Sequence, residues 1–359
     1  MARSLWVFLF CVTPIVTWAQ LAAPKYSNEF LSIGVGARGL AMSKAQVAIT
    51  GDNTSLYWNP AGLMQAQGLH NIGLMHASYF GGIAQYDYLG YTTYLDKYSK
   101  VGVGLIRFGV DNIPDTRFLY DASGVINYDN VRFFAAADYA LLLSYARNLA
   151  GFKGLSLGGN AKVIHRLAGD FANAWGFGLD FGAQYRAKNW SAGLMARDVT
   201  TTFNAWSHNA ELVYDVYLQT GNEIPRNSIE ITLPKLILGG AYWYTFLEDF
   251  TALISLDAEI TFDGPRNVLL STDPVSADPM LGLELSYDNL VYLRGGLGGI
   301  QQIKDFDGSQ SYIFQPSAGL GINWRSFQLD YALTNIGQQS QALYSHVFSL
   351  NLRLEEKEE

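Results

Sequence analysis

The chain has 359 residues, of which 49% are hydrophobic and only 16% charged, with a formal net charge of −8. A soluble globular domain carries about 25% charged residues, so this surface is short of charge, and an acidic chain without a basic run argues against a nucleic-acid partner. The single cysteine, Cys11, excludes a disulfide framework and a cysteine metal site. The chain opens on Arg3, an apolar stretch from Leu5 to Ile15, and Thr17-Trp18-Ala19. That pattern reads as a secretion signal over residues 1–19, cleaved after Ala19. A membrane anchor is the weaker reading because the apolar run is short for a bilayer. Lipidation at Cys11 is disfavoured by the bulky Phe10 before it.

Residues 20–68 show no alternation. Ala37 to Thr50 is rich in small residues, with Leu40, Met42, Ala45 and Val47 scattered through it. Asp52-Asn53-Thr54-Ser55 looks like a helix start with Asp or Asn as its cap. Leu56, Tyr57 and Trp58 follow, and then Asn59-Pro60-Ala61-Gly62-Leu63, where Pro60 begins or ends a helical turn. Gly34-Val35-Gly36-Ala37-Arg38-Gly39 fits a dinucleotide fingerprint by spelling. It lacks the preceding strand of a βαβ unit and reads as a glycine-rich entry to the segment.

From residue 69 onward the period is two. Trp175, Phe177, Leu179, Phe181, Ala183 and Tyr185 alternate with Gly176, Gly178, Asp180, Gly182 and Gln184. The pattern returns from Phe250 to Ile260, from Phe327 to Leu333 and from Tyr344 to Leu354. About fourteen strands result, beginning near Leu69, Ala84, Ser99, Asp138, Gly154, Asn173, Asn189, Thr232, Asp249, Met280, Leu290, Ile313, Ser326 and Tyr344. A water-soluble barrel shows the same alternation with its faces reversed. Strands of roughly 9–13 residues, and opposite faces rich in Gly, Asp, Glu, Arg and Asn, favour a lipid-facing barrel with a polar lumen. No stretch after the signal reaches the ~18 apolar residues of a membrane helix. A charge-poor exported chain then enters a bilayer by closing its backbone hydrogen bonds in a barrel.

The expected architecture is all-β: a 14-stranded antiparallel transmembrane barrel over residues 69–355, with residues 20–68 as a short N-terminal hatch inside it. Connections after even strands are short, as at Asp96-Lys97 and Trp324-Arg325. The long ones, Asp111–Ala137, Thr200–Ile231, Phe262–Pro279 and Gln301–Tyr312, follow odd strands. Short periplasmic turns and long outer loops are the outer-membrane rule, which puts both termini in the periplasm. Tyr98, Tyr185, Trp190, Tyr287 and Trp324 then fall near the short turns, as an inner aromatic girdle requires.

Several motifs resemble chemistry without its context. Gly154-Leu155-Ser156-Leu157-Gly158 spells a nucleophile elbow, but its serine lies on a continuing strand with no helix behind it. His70, His76, His165, His208 and His346 have no ligand spacing. Asp305-Phe306-Asp307-Gly308 lacks the remaining ligands of a calcium loop and reads as a turn. No catalytic, metal or cofactor residue is therefore expected. The two longest loops are too apolar to be idle, with Phe118, Tyr120, Phe133 and Phe134 in one and Trp206, Tyr214 and Tyr217 in the other. They either fold over the barrel mouth or form a contact surface for a protein or an oily ligand.

Asn59-Pro60-Ala61-Gly62-Leu63 resembles the Asn-Pro-Ala-Gly turn of FadL-like outer-membrane proteins. Gly36-Ala37-Arg38-Gly39-Leu40-Ala41-Met42, followed by Ala45, Asp52 and Tyr57-Trp58-Asn59, resembles the PorV/PorQ branch of that superfamily. Ser43-Lys44 departs from the glycine that usually follows the methionine there. The motifs cover roughly 40 residues. The resemblance implies fourteen strands and a hatch, here centred on Arg38, Asp52, Trp58, Asn59, Pro60, Ala61 and Gly62. It implies a Bacteroidetes source and a non-enzymatic role in type IX secretion. There the rim binds the translocon, a cell-surface sortase or a cargo C-terminal domain. The other function it implies is a FadL-like channel for hydrophobic molecules such as fatty acids. An apolar lumen pocket opening towards a gap in the wall would favour the channel. The charged lumen positions Asp180, Asp257, Glu259, Glu284, Arg294 and Asp330 make the lumen unattractive to lipid and favour secretion.

Overall fold

A computed structural model describes residues 27–121, 123–304, 309–334 and 345–355. The expected signal, the Asp305–Gly308 turn and Tyr344 lie outside the described residues. Seventeen strands form one sheet. They are β1 (His70–Tyr79), β2 (Ala84–Asp96), β3 (Ser99–Asp115), β4 (Arg132–Asn148), β5 (Leu155–Ala168) and β6 (Ala172–Arg186). Then come β7 (Trp190–Arg197), β8 (Thr202–His208), β9 (Ser228–Thr232), β10 (Lys235–Phe246), β11 (Phe250–Thr261) and β12 (Leu270–Ser271). The last are β13 (Ser276–Tyr287), β14 (Val291–Lys304), β15 (Gln310–Trp324), β16 (Phe327–Thr334) and β17 (Ser345–Leu354).

β7 and β8 both pair with β6 and are two halves of one wall strand. β9 and β10 continue each other in the same way, pairing with β8 and β7. β12 is a two-residue addition beside β13. The wall therefore has fourteen antiparallel strands, and β1 closes it on β17 with His70 opposite Leu354. No helix among the described residues is long and apolar enough to cross a membrane.

The direction of alternation decides which medium the wall faces. On β6, Trp175 is 56% exposed and Phe177 43%, while Gly176, Gly178 and Asp180 between them are buried. Leu74, Leu89, Leu105, Ile254, Leu283 and Leu329 are likewise exposed on their strands. Such a band is stable only against lipid, since exposed apolar area costs about 25 cal/mol per Å² in water. Tyr98, Tyr185, Trp190, Tyr287 and Trp324 are exposed at the short-turn end of the wall.

The strands reach further at the loop end than the alternation predicts. β3 continues to Asp115 and β4 starts at Arg132, where the sequence suggests a connection over 111–137. Much of the expected 200–231 loop is wall too, in β8 and β9, and the rest includes a short helix, α3 (Tyr214–Thr220). Residues 132–136 lack the buried-exposed alternation of the lower wall. Above the lipid, both faces of a strand meet polar surroundings, so the period-two signal fades before the ladder ends. The gap in the wall that would favour a channel is not seen among the described residues. Every neighbouring pair is bonded, and even at the β7–β8 break the Val199 amide donates to the Leu179 carbonyl at 2.9 Å.

Candidate functional site

Residues 27–68 lie in the lumen, and the lumen-facing side chains explain why irregular backbone is tolerated there. An unpaired amide or carbonyl in a dry interior costs several kcal/mol, so non-helical chain at membrane depth needs donors and acceptors from the wall. Ser349 on β17 accepts from the Ala37 amide at 2.7 Å, and Ser317 on β15 donates to the Ala41 carbonyl at 2.9 Å. Asp257 on β11 accepts from the Val47 amide at 2.8 Å. Gln184 on β6 donates to the Ala48 and Thr50 carbonyls at 2.8 and 3.1 Å. Tyr88, Asn160 and Arg197 donate to the carbonyls of Asn53, Leu56 and Tyr57 at 2.7, 2.8 and 2.9 Å. Lys100 donates to the Ala66 carbonyl.

Glycines on the inner face make the room. A Cβ on Gly158 would sit 2.5 Å from the Ala61 amide nitrogen, and one on Gly296 would sit 2.4 Å from the Ser43 nitrogen. The Asn59-Pro60-Ala61-Gly62 turn fits this geometry residue by residue. The Asn59 amide group donates to the Val47 and Ala183 carbonyls at 2.8 and 3.1 Å, and its Oδ1 accepts from the Ala61 amide at 3.2 Å. Pro60 opens the 3-10 turn Pro60–Gln65, where its missing N–H goes unused. Ala61 is fully buried, and a Cβ on Gly62 would strike Thr50 Oγ1 at 2.0 Å. The Trp58 indole donates to the Val35 carbonyl at 2.8 Å. Asp52 does not cap the helix α2 (Ser55–Trp58); its carboxylate instead accepts from the Thr54 amide at 2.8 Å, two residues on. We expect Asn59→Ala to lower stability by about 1–3 kcal/mol, because it strands buried carbonyls. Urea unfolding in detergent checks this, and a loss under about 0.5 kcal/mol would contradict it.

The expected lumen charges are present and mostly paired. Arg38, on the short helix α1 (Ala37–Ala41), forms a two-pronged pair with Glu284 at 2.8 and 2.9 Å. Burial alone disfavours the Arg38 charge, but Glu284 outweighs it, so the guanidinium pKa lies above its ordinary value. Arg294 joins Glu284 to Asp330, with both contacts at 2.6 Å. Lys162 bridges Asp180 at 2.8 Å and Asp198 at 2.5 Å. The sequence reading omits Lys162, Arg197 and Asp198. Asp198 has φ 55 at the β7–β8 break, which turns its side chain inward, and nothing in the local pattern announces that. These groups satisfy one another and the N-terminal segment, so their charge does not argue against an apolar ligand.

A space of mixed lining does remain. A cavity of about 470 Å³ lies between the N-terminal segment and the upper wall. Phe30, Ile33 and Leu40 line it from the segment, and Tyr79, Phe108 and Met280 from the wall. A polar pocket of about 100 Å³ adjoins it and shares Lys44, Asp278 and Met280. Higher up, a groove of about 450 Å³ lies among the loops, lined by Arg117, Phe134, Phe171, Val213 and Tyr217.

The candidate loop residues separate into groups. Phe134 stacks edge-on against Phe171 at 5.0 Å and lines the groove with Tyr217. Tyr214 is exposed on α3. Phe118 lies 4.4 Å from the Arg132 guanidinium and 5.4 Å from that of Arg117. Tyr120 is exposed in the 116–131 connection, and Phe133 is exposed on β4 rather than in a loop. Trp206 belongs to β8 and is partly covered, with the Arg166 guanidinium 5.1 Å from its ring.

Among the described residues no strand precedes the Gly34–Gly39 fingerprint, which enters α1 directly. Ser156 is buried on β5, where its hydroxyl donates to the Gln184 carbonyl at 3.3 Å. His76 pairs with Asp87 at 2.7 Å, and His346 with the Tyr331 hydroxyl at 2.8 Å. Among the described residues no group of three or more His, Cys, Asp or Glu is placed to hold a metal ion.

Solved structures share this architecture. The monoaromatic hydrocarbon channel CymD aligns with a TM-score of 0.56 at 12% identity, covering 90% of this chain and 98% of its own. The P. putida toluene transporter TodX gives 0.54 at 13%, covering 90% and 99%. The Ralstonia pickettii toluene transporter TbuX gives 0.50 at 12%, covering 89% and 98%. The chain is a fourteen-stranded β-barrel of FadL-like fold. At these identities the likeness is one of fold. No family model matches the sequence, and no relative is found among curated proteins.

Proposed function

We propose that this FadL-like barrel is a non-enzymatic channel for small hydrophobic molecules, with residues 20–68 as the hatch that keeps its lumen closed. The observation that carries the reading is the cavity of about 470 Å³, to which both the segment (Phe30, Ile33, Leu40) and the wall (Tyr79, Phe108, Met280) contribute apolar side chains among polar ones. Burial in such a space stabilises an apolar ligand by about 25 cal/mol per Å² removed from water. The groove between Phe134, Phe171 and Tyr217 offers a first apolar contact above it. The structures of like fold include proteins described as hydrocarbon channels and toluene transporters, which supports the same reading. Uptake of a radiolabelled aromatic hydrocarbon by Gram-negative cells expressing the chain tests it. Phe108→Asp places a charge in the cavity and is expected to lower the initial rate at least about threefold, given the cost of an unpaired charge among apolar side chains. Equal rates for the variant and for the wild-type chain would refute the channel.

A second reading rests on a separate observation. Tyr120, Tyr128 and Phe133 are 63%, 75% and 65% exposed at the loop end. Aromatic rings in that setting support a protein-docking rim, the role a PorV-like component of type IX secretion plays towards a translocon, sortase or cargo C-terminal domain. A tag after Glu359, mild extraction of outer membranes and identification of co-purifying proteins separates the two. A very large translocon subunit or a surface sortase at near-stoichiometric level would establish the secretion role. A monomer carrying a hydrophobic molecule would exclude it.

A further inference from the structure

The cavity's lining includes the charged residues Glu29, Lys44 and Asp278 and the neutral polar residues Ser43, Gln315, Ser317 and Thr334. Lys44 and Asp278 line both this cavity and the small polar pocket beside it, and so mark the junction of the two. Arg38, Lys162, Arg166, Lys235 and Arg294 each form an ion pair in the lumen, whereas none to Asp278 is seen among the described residues. Its Oδ1 is buried without a hydrogen bond. Its cross-strand neighbour Glu259 is already bound to Lys235 at 3.0 Å. Lys44 donates to the Ser32 carbonyl at 2.8 Å, which leaves two of its three N–H groups for other acceptors. A buried acceptor without a donor is uncommon and calls for an explanation.

This junction thus presents an acceptor and a donor together. An alkylammonium head would bring a second cation beside Lys44. A carboxylate head would bring another anion beside Asp278 and Glu259. A bare hydrocarbon would bury both groups and satisfy neither, at the cost of their desolvation. A hydroxyl is neutral, donates one hydrogen bond and accepts others. From this juxtaposition we infer that the preferred ligand is a neutral hydroxylated amphiphile, an alcohol or phenol, whose hydroxyl donates to Asp278 and accepts from Lys44 while its apolar body lies among Phe30, Tyr79, Phe108 and Met280. The inference rests on the channel reading and narrows its substrate class.

The test uses the full chain in detergent and equilibrium dialysis against 4-ethylphenol, ethylbenzene, 4-ethylbenzoate and 4-ethylbenzylamine, with protein-free micelles subtracted. The phenol is expected to bind about tenfold more tightly than ethylbenzene, the gain of one hydrogen bond to a charged group, and more tightly than either ionic compound. Asp278→Leu, which removes the acceptor, is expected to bring the phenol-to-ethylbenzene ratio close to one, with retention of the barrel checked by heat-modifiable gel migration. Lys44→Met, outside the wall, is expected to lower the same ratio. Equal binding of phenol and ethylbenzene, or tightest binding of the benzoate or the amine, overturns the hydroxyl assignment while the channel reading stands. No binding of any of the four beyond micelles overturns both.

Discussion

Gly193→Val is expected to force the N-terminal segment out of its seat and leave a conducting barrel. A Cβ at position 193 would lie 2.2 Å from the Val47 carbonyl oxygen and 2.5 Å from its carbon. These are backbone atoms, and they cannot step aside cheaply. The Val47 carbonyl is held by Asn59 at 2.8 Å and its amide by Asp257 at 2.8 Å. The next carbonyl, of Ala48, is held by Ser191 at 2.6 Å and Gln184 at 2.8 Å. Overpacking a well-filled interior costs about 1–3 kcal/mol when neighbours can adjust, and here the neighbours are pinned. The outer wall is untouched, because position 193 faces inward, so the barrel itself is expected to form. Planar-bilayer recordings are expected to show a closed wild-type protein and an ohmic, open variant. A variant as closed as the wild type would refute the plugging role given to residues 20–68. Gly158→Val, which meets the Ala61 nitrogen at 2.5 Å, serves as an independent copy of the test.

Lys162→Met is expected to lower stability by about 3–5 kcal/mol, the range for removing one partner of a buried ion pair. Lys162 is the cation between Asp180 and Asp198, and all three side chains are nearly fully covered. Methionine matches the stem but leaves two carboxylates facing each other in the lumen. Asp198 also accepts from Thr202 Oγ1 at 2.5 Å and sits in the β7–β8 break, so the loss is expected to loosen that part of the wall first. Urea unfolding of the refolded barrel gives the magnitude. A midpoint shift equivalent to less than about 1 kcal/mol would mean that the pair is solvated in the folded protein.

The residues that announce the wall and those that shape its interior left very different traces in the sequence. Strands that stand in lipid have one apolar face, and β6, β11 and β16 can be read from that alone, to within a few residues. Above the lipid the contrast ends, so Arg132–Ala137 of β4, all of β8 and Ser228–Ile231 of β9 are not legible as wall. The small-residue motif around Asn59 was legible as a motif. Its purpose was not, because the Ala183 carbonyl, Gly158 and Gly182 that receive it are roughly a hundred residues or more away in the chain.

The sequence by itself determined the class of the protein. Alternation, scarcity of charge and the placement of aromatic residues fix a lipid-facing barrel, because each strand meets the same two media along its length and records them locally. Only the tertiary structure decided how the lumen is filled. Pairing Arg38 with Glu284, or Lys162 with Asp180 and Asp198, turns charges that look hostile to lipid into internal supports. The cavity beside Phe30, Phe108 and Met280 exists because three separate chain segments meet there. Shape of that kind depends on distances between remote residues, which strand periodicity does not encode.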